Sequence, residues 1–341
     1  YIRGMKKKII SKTLTFICIL LFISLFKHIF GDANSPVGIT TVIAVLILMS
    51  ENLTVSPIKN FMKLLLINII IGMGAFIASQ NIYWGVIIDF SVLWFIGYYF
   101  SVNLTKTIIL PFGLQYLFIL YDPVYGENLI KRFGALAFAP FLIMLIQYLI
   151  YGRNKKIEVE KSDILEFSKI DDTYEKVKIL GIEFKVNKIR AYYALRLSLL
   201  IAITAFINGR FLLLNGIQEG KWMVYSIFSL TELFGENCRI KSKKRIQGTI
   251  IGALIVLILF MFIKSTPLRG LIILIAGYLN SYFEDYRDTM VCVTVSTVAS
   301  VALTNGTLLT AIERILFVSI GILISLIGNK LIFSDFKKGE I

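Results

Sequence analysis

The sequence predicts an all-α integral membrane protein with about twelve transmembrane segments, arranged as two parallel six-helix repeats. Three observations lead to this fold class. Of the 341 residues, 57% are hydrophobic, and the mean hydropathy is +0.77. A soluble core cannot absorb that much apolar surface, whereas a bilayer can. The apolar residues also fall into twelve segments, and the second six follow the spacing of the first six, as in a duplicated chain.

The twelve apolar segments are separated mostly by short polar turns. They run near 11–30, 36–50, 60–79, 82–100, 104–120 and 129–151 in the first half, and near 191–209, 221–234, 246–264, 267–280, 288–304 and 310–333 in the second. Several are shorter than the ~20 residues that span a bilayer, so we expect them to be tilted, broken or partly re-entrant. Pro111 lies inside the fifth segment and is expected to kink it.

Residues at matching positions mark the two repeats. Glu51 and Glu232, 181 positions apart, each follow a short apolar segment, and Gly72 and Gly252 lie 180 apart in the segments that come next. Because each half has an even number of segments, both halves enter the membrane from the same side, and the axis relating them runs along the membrane normal. The expected domains are a repeat at 10–151, a cytoplasmic connector at 152–190, a repeat at 191–333 and a cytoplasmic tail at 334–341.

The connector is the longest polar stretch of the chain. The alternation Glu183-Phe184-Lys185-Val186 is typical of a strand, and the apolar residues near 164–170 suggest a short amphipathic helix. We expect a structured connector on the membrane surface.

The net charge of +14 predicts the orientation. Most lysines and arginines fall in the polar segments on the side of the N-terminus, so both termini are expected to be cytoplasmic. This distribution explains the positive charge without a nucleic-acid partner. It makes membrane lipid an expected partner, above all of the basic run at 239–245, which we interpret as following a turn at 235–237.

Cofactor and metal chemistry have no signal in the sequence. The chain has three cysteines and one histidine, without the spacing of a metal site or a disulfide framework. No phosphate-binding loop motif is present. We therefore expect a protein that is not an enzyme and holds neither a metal nor a cofactor.

Asp89 is the sharpest candidate for function, because a carboxylate in the middle of an apolar segment costs about 3 kcal/mol unless it is protonated or paired. It could bind a proton or gate a substrate, or it could hold a neighbouring helix. Arg196 is its expected complement. The Arg196 guanidinium could dock an anion through parallel donors, or it could reach back to the cytoplasmic interface.

Two pairs of charged residues are candidates for a pathway. Glu51 and Glu232 close short segments on the cytoplasmic side, either as solvated turn residues or as groups that flank a central route. Arg132 and Arg314, 182 positions apart, open the sixth and twelfth segments on the outer side. They could anchor those segments at the interface or form a vestibule that attracts anions.

Two further groups complete the candidate residues. Lys221 and Trp222 open the eighth segment and could contact a substrate, although such aromatic residues mostly form interface belts or packing contacts. Gly248, Thr249 and Gly252 form a face of small residues, which close helix packing explains without a ligand.

The second half of the chain resembles the fusaric acid resistance-like family, whose members are also known as aromatic acid exporters. The resemblance rests on short motifs: Tyr193-Ala194-Leu195-Arg196-Leu197, Lys221-Trp222, Lys244-Arg245-Ile246-Gln247-Gly248-Thr249-Ile250-Ile251-Gly252 and Glu313-Arg314-Ile315. The resemblance covers about 190–333. Residues 10–151 resemble the family more weakly, because the Arg and the Gly-Thr of the third motif are missing there. The resemblance implies a bacterial inner-membrane protein that exports organic anions, distantly related to plant malate-type anion channels, with the relatives' soluble domain reduced to 152–190.

Three functions remain open from the sequence. The leading hypothesis is export of aromatic or other small organic anions along the axis between the halves, with Arg196 attracting the carboxylate and Asp89 exchanging a proton. The alternatives are a passive anion channel of the same fold and a non-transporting envelope scaffold or lipid-handling protein. A homo-oligomer or an auxiliary envelope subunit could complete any of the three.

Overall fold

The computed structural model describes residues 2–101, 105–152, 174–179, 182–303 and 306–332. Twelve α-helices and one β-hairpin form in these residues, and each predicted apolar segment overlaps one helix, which confirms the helical fold class. The helices are α1 Ile2–Phe30, α2 Ser35–Leu48, α3 Pro57–Gln80, α4 Ile82–Tyr99, α5 Ile109–Tyr121, α6 Glu127–Tyr151, α7 Lys188–Ile207, α8 Lys221–Leu230, α9 Gly235–Phe262, α10 Thr266–Asn280, α11 Tyr286–Ala302 and α12 Thr307–Leu331.

Seven helical stretches in the described residues are long and apolar enough to cross a membrane. They are Lys6–Phe30, Pro57–Gln80, Ile82–Tyr99, Glu127–Tyr151, Lys188–Asn215, Asn237–Phe262 and Thr307–Leu331. Three other apolar stretches are shorter: Asp32–Leu48, Ile109–Tyr121 and Thr266–Asn280. The protein is therefore a helical membrane protein, while the twelve crossings and their orientation stay predictions.

The chain divides into two compact units. One contains Ile19–Phe206 and is named the α2–α7 unit; the other contains Tyr1–Cys18 with Ile207–Ile341 and is named the α8–α12 unit. In the α2–α7 unit, α3 packs against α4, α5 and α6, and α2 packs against α5 and α6. In the α8–α12 unit, α9 packs against α11 and α12, α10 packs against α11, and α8 packs against α12.

Four helix pairings recur in the two units at helices six places apart. The pair α3–α5 corresponds to α9–α11, α3–α6 to α9–α12, α2–α6 to α8–α12, and α4–α5 to α10–α11. This likeness favours the duplication that the sequence spacing predicts. The unit boundaries do not coincide with the repeat boundaries at 10–151 and 191–333, so the repeat remains a prediction.

The connector contains the predicted strand. The segment Ile182–Asn187 is β2, and it pairs in antiparallel register with β1, Tyr174–Ile179. The strand prediction at 183–186 is confirmed. The amphipathic helix predicted near 164–170 lies outside the described residues.

Two local predictions are wrong. Pro111 is the third residue of α5. The first N–H groups of a helix have no carbonyl acceptor within it, so a proline at this position removes no helical hydrogen bond. The predicted kink is therefore not expected there. The interior proline is instead Pro140, in α6.

The turn predicted at 235–237 is also absent, because Gly235 begins α9. The basic run at 239–245 thus lies on a helix, and the connection from α8 is 231–234.

Arg132 joins three chain segments inside the α2–α7 unit. Its side chain is buried on α6, where Nε donates to Asn34 Oδ1 at 2.8 Å. Nη1 donates to the Asp122 carbonyl at 2.6 Å and Nη2 to the Ala33 carbonyl at 2.7 Å. Backbone carbonyls at helix ends need such donors when water is excluded. These contacts make Arg132 a clamp between the ends of α1, α5 and α6.

Arg190, at the start of α7, acts in the same way on the end of α4. Its Nε donates to the Tyr98 carbonyl at 3.0 Å and to Ser101 Oγ at 3.1 Å, and Nη2 donates to the Tyr99 carbonyl at 3.0 Å. Arg132 and Arg190 thus both donate to backbone carbonyls at helix ends inside the α2–α7 unit.

Replacing Arg132 by Gln is expected to destabilise the protein by about 2–4 kcal/mol, because buried carbonyls lose a charged donor. The thermal unfolding midpoint in detergent should fall by several degrees. Lys131→Gln is the matched control, since the Lys131 side chain is 41% exposed in its ion pair with Glu127 and should leave the midpoint nearly unchanged. Equal midpoints for both variants would contradict the clamp.

Candidate functional site

Arg314 is a buried guanidinium without a hydrogen-bond acceptor among the described residues. It lies on α12 with a relative exposure of 2%, and its Nε and Nη1 are both buried and unsatisfied. Its Cζ lies 3.5 Å from the centre of the Trp222 ring. A cation–π contact stabilises a desolvated cation by about 2 kcal/mol, which is less than the cost of burying the charge. Such an unsatisfied buried charge is rare and requires an explanation.

Glu219 and Trp222 lie beside this guanidinium. Trp222, at the second position of α8, donates from Nε1 to Glu219 Oε2. The Glu219 carboxylate thus lies at the edge of the indole, while Arg314 lies over its face. Glu219 is 6% exposed and acts on Arg314 electrostatically, but no ion pair joins the two among the described residues. Tyr225 packs edge-on against the same indole at 5.3 Å between ring centres.

Arg245 brings a second buried guanidinium into the same unit and also acts on Arg314 electrostatically. It lies on α9 with 5% exposure, and its partners on α8 and α11 are uncharged. They are Ser226 Oγ at 3.3 Å, Ser229 Oγ at 3.2 Å, Tyr286 Oη at 3.0 Å and Met290 Sδ at 3.1 Å. The side chain is therefore held in place without being neutralised.

Glycines place Arg245 and Arg314 by allowing helices to approach closely. A Cβ at Gly248 would lie 2.7 Å from the Arg287 carbonyl, and one at Gly252 would lie 2.8 Å from the Val291 carbonyl. Both glycines are therefore at the α9–α11 contact, with Thr249 buried between them. On α12, a Cβ at Gly321 would lie 2.6 Å from the Met223 carbonyl of α8. Small residues thus bring α9 onto α11 and α12 onto α8.

We name five side chains the buried cationic site: Trp222, the three that contact its indole, Glu219, Tyr225 and Arg314, and Arg245, which interacts electrostatically with Arg314. The site contains two guanidinium groups and one carboxylate, so its formal positive charge is in excess. A region of low dielectric constant with excess positive charge favours an anion, because Coulombic attraction is weakly screened inside it. The free donors of Arg314 suit a carboxylate or a similar oxyanion.

A π turn lies next to this site in the sequence. Residues Asn208–Leu212 form the turn, and both polar atoms of the buried Asn208 side chain lack a partner among the described residues. A Cβ at Gly220 would collide with Asn208 Oδ1, so a larger residue there would force the Asn208 side chain to shift. π turns inside helices are often found at functional sites.

Most candidate residues of the second half lie in or beside the buried cationic site. Trp222 and Arg314 belong to it, and Lys221 is half-buried at the start of α8. Arg314 is 2% exposed and lies over the Trp222 ring, and its interpretations as an interfacial anchor or a vestibule group stay predictions. Glu232 is buried in the α8–α9 connection, where it accepts a hydrogen bond from Lys241 Nζ at 2.6 Å.

Besides Arg132, the candidates of the α2–α7 unit are Asp89, Arg196 and Glu51, and no ion pair joins them among the described residues. Asp89 is buried on α4 and accepts a hydrogen bond from Tyr116 Oη of α5 at 2.5 Å. Among the described residues it forms no ion pair with Arg196. Arg196 is 2% exposed on α7, and both interpretations, docking of an anion and reach to the cytoplasmic interface, stay predictions. Glu51 is half-buried in the turn after α2.

Sequence reasoning missed Glu219 and Arg245 as site residues. Arg245 begins the Arg-x-x-Gly-Thr motif, but we interpreted it as one of five cations that determine topology. Its position three residues before Gly248 was the available signal, since that spacing puts both residues on one helix face. Glu219 lies in a polar loop, and no pattern in the sequence indicates its burial. Among the described residues, no group of histidine, cysteine or acidic side chains could hold a metal ion.

The long apolar helices and the buried charged groups together define a class, the multi-pass helical membrane proteins. Within that class, residues 199–328 match the model of the fusaric acid resistance protein-like family, which confirms the resemblance drawn from the sequence motifs. This family is broadly of the transporter type and is not enzymatic. No match was found among the curated proteins or the solved structures that were compared.

Replacing Gly252 by Ala should separate α9 from α11, because the carbonyl of Val291 cannot move aside as a flexible side chain could. We expect a destabilisation of about 1–3 kcal/mol, typical of overpacking, measured as a lower unfolding midpoint in detergent. Gly270→Ala is the control, since a Cβ at Gly270 would meet nothing within 4 Å. A Gly252→Ala protein as stable as Gly270→Ala would show that the α9–α11 contact is not close-packed.

Proposed function

We propose that the protein exports small organic anions, aromatic acids above all, and that Arg314 binds their carboxylate. The unsatisfied, buried donors of Arg314 are the observation that carries this proposal. A carboxylate would supply the acceptors and the negative charge that the side chain lacks. Trp222 and Tyr225 would contact an aromatic ring. The match to a transporter-type family over 199–328 supports the same function.

Arg132 shows that burial of a guanidinium in this protein does not by itself leave it unsatisfied. Arg132 and Arg314 occupy corresponding positions at the start of α6 and α12, 182 residues apart. Arg132 donates to two backbone carbonyls and an amide oxygen. The Arg314 guanidinium instead lies over the face of the Trp222 ring. The difference supports a ligand-binding role for Arg314 and a structural role for Arg132.

In this proposal Asp89 exchanges the proton that drives export. Its carboxyl group is buried and accepts a hydrogen bond from a phenol, and no cation pairs with it in the part of the chain that the structure describes. A carboxyl group in such surroundings can be held in its neutral form as well as in its charged form.

Arg196 remains a candidate for a second carboxylate contact. We place the protein in a bacterial inner membrane with cytoplasmic termini, on the distribution of its cations.

Arg314→Gln should abolish uptake of labelled benzoate into proteoliposomes, with a loss of at least about tenfold in rate, because the charged donor is removed. Unlike Arg132→Gln, it should not lower the unfolding midpoint, since an unsatisfied buried charge is lost. Arg287→Gln is the control, because that side chain is 49% exposed and pairs with Asp288. Wild-type uptake by Arg314→Gln would refute the assignment.

Asp89→Asn should remove the dependence of uptake on a pH gradient, while exchange of labelled for unlabelled benzoate continues. The amide keeps a hydrogen-bond acceptor for Tyr116 but cannot carry a proton. Asp32→Asn is the control, since its side chain is 89% exposed. A steady benzoate current that neither the pH gradient nor Asp89→Asn changes would favour the passive channel. Absence of any anion flux would favour the scaffold.

A further inference from the structure

We propose that Glu219 makes the buried cationic site selective for anions that carry a single negative charge. This inference rests on the proposed function, because it assumes that Arg314 binds an anion, and it names the class of substrate by charge. The supporting observations are the charge balance of the site, the way in which Glu219 is held, and the separation of its carboxylate from Arg314.

The charge balance is one positive charge in excess. Arg314 and Arg245 each contribute one positive charge, and Glu219 contributes one negative charge. The remaining neighbours of the two guanidinium groups are uncharged: Trp222, Tyr225, Ser226, Ser229, Tyr286 and Met290. A monoanion brings this buried region to neutrality, whereas a dianion leaves one negative charge uncompensated in a medium of low dielectric constant.

Glu219 is fixed in the site by Trp222. The indole Nε1 donates to the carboxylate, and the side chain is 6% exposed, so solvent does not screen it as it screens a surface carboxylate. The carboxylate lies at the edge of the ring, and Arg314 lies over the face. The negative charge therefore contributes to the site while the donors of Arg314 stay available.

Two other charged side chains adjoin Arg314 and Trp222 in the sequence, and their charges affect a bound anion less than that of Glu219 does. Glu313 precedes Arg314 on α12 and interacts electrostatically with Glu219, and Lys221 precedes Trp222 on α8. Both are half-buried, so solvent screens their charges more than it screens that of Glu219. Glu313 is accordingly the matched control for Glu219.

A purely structural role for Glu219 predicts a different result. If Glu219 only holds the indole, replacing it by glutamine should leave the anion selectivity unchanged, because the amide oxygen of Gln accepts the same hydrogen bond from Trp222 Nε1. If its charge selects the ligand, glutamine keeps the indole in place but changes the charge balance from one to two positive charges. The variant Glu219→Gln thus separates the two roles.

The experiment measures binding through Trp222, one of only three tryptophans in the chain. In a Trp84→Phe, Trp94→Phe background, Trp222 is the sole indole, and its fluorescence is titrated in detergent micelles. The probes are benzoate, phthalate at a pH where it carries two charges, and monomethyl phthalate. The last has the bulk of phthalate with a single charge, so it separates charge from size.

We expect the wild-type site to bind benzoate and monomethyl phthalate more tightly than phthalate. Glu219→Gln should shift the affinity ratio toward phthalate by at least about tenfold, whereas Glu219→Asp and Glu313→Gln should keep the wild-type ratio. An unchanged ratio in Glu219→Gln overturns the inference and leaves the proposed function standing.

The remaining outcomes are also decisive. If Glu219→Gln does not fold, the wild-type titration decides, and phthalate binding as tight as that of monomethyl phthalate overturns charge selection. If no anion changes the Trp222 signal, and radiolabelled benzoate does not bind to the wild type, then both the proposed function and the inference fail.

Discussion

The burial of Arg314 without an acceptor among the described residues is the constraint that the packing of the α8–α12 unit has to accommodate. Removing a guanidinium from water costs several kcal/mol unless charge or hydrogen bonds replace the lost hydration. Here the replacement is an indole face and a carboxylate at the edge of that indole. Such an arrangement persists only when the surrounding packing holds it, and the glycine contacts of α9 and α12 provide that packing.

The two units use buried arginines for different purposes. In the α2–α7 unit, Arg132 and Arg190 donate to carbonyls where helices end, and they satisfy backbone groups that lipid could not. In the α8–α12 unit, the guanidinium group of Arg245 is held by hydroxyl groups and a thioether instead of backbone carbonyls. Arg132 and Arg190 thus close helix ends in one unit, whereas Arg245 and Arg314 concentrate positive charge in the other.

Much of the fold could be predicted from the sequence, because long apolar runs separated by polar turns allow few alternatives to helices in a membrane. The strand at 183–186 was also predictable from its alternation. The position of Pro111 was not, since a helix start can move by a few residues within an apolar run. Asp89 and Arg196 were recognised as buried charges, but a linear pattern cannot show that Asp89 contacts a phenol of the next helix.

The candidate site was predictable only in part. Trp222 and Arg314 could be selected because each stands at the start of an apolar segment, in motifs shared with a known family. Arg245 was hidden by its neighbours, since four other cations in the same run suggested a purely topological role. Glu219 could not be found, because burial of a loop carboxylate follows from packing that involves residues far away in sequence.

The three short apolar helices have a consequence for the surrounding lipid. With a rise of 1.5 Å per residue, α2, α5 and α10 are about 20–22 Å long, whereas a typical hydrocarbon core measures about 30 Å. A bilayer that meets such helices must thin locally, or the longer neighbours must tilt, and either response costs free energy for each ångström of hydrophobic mismatch. On the predicted twelve crossings, acyl-chain length is a physical variable for this protein, and membranes of short-chain lipids match these three helices best.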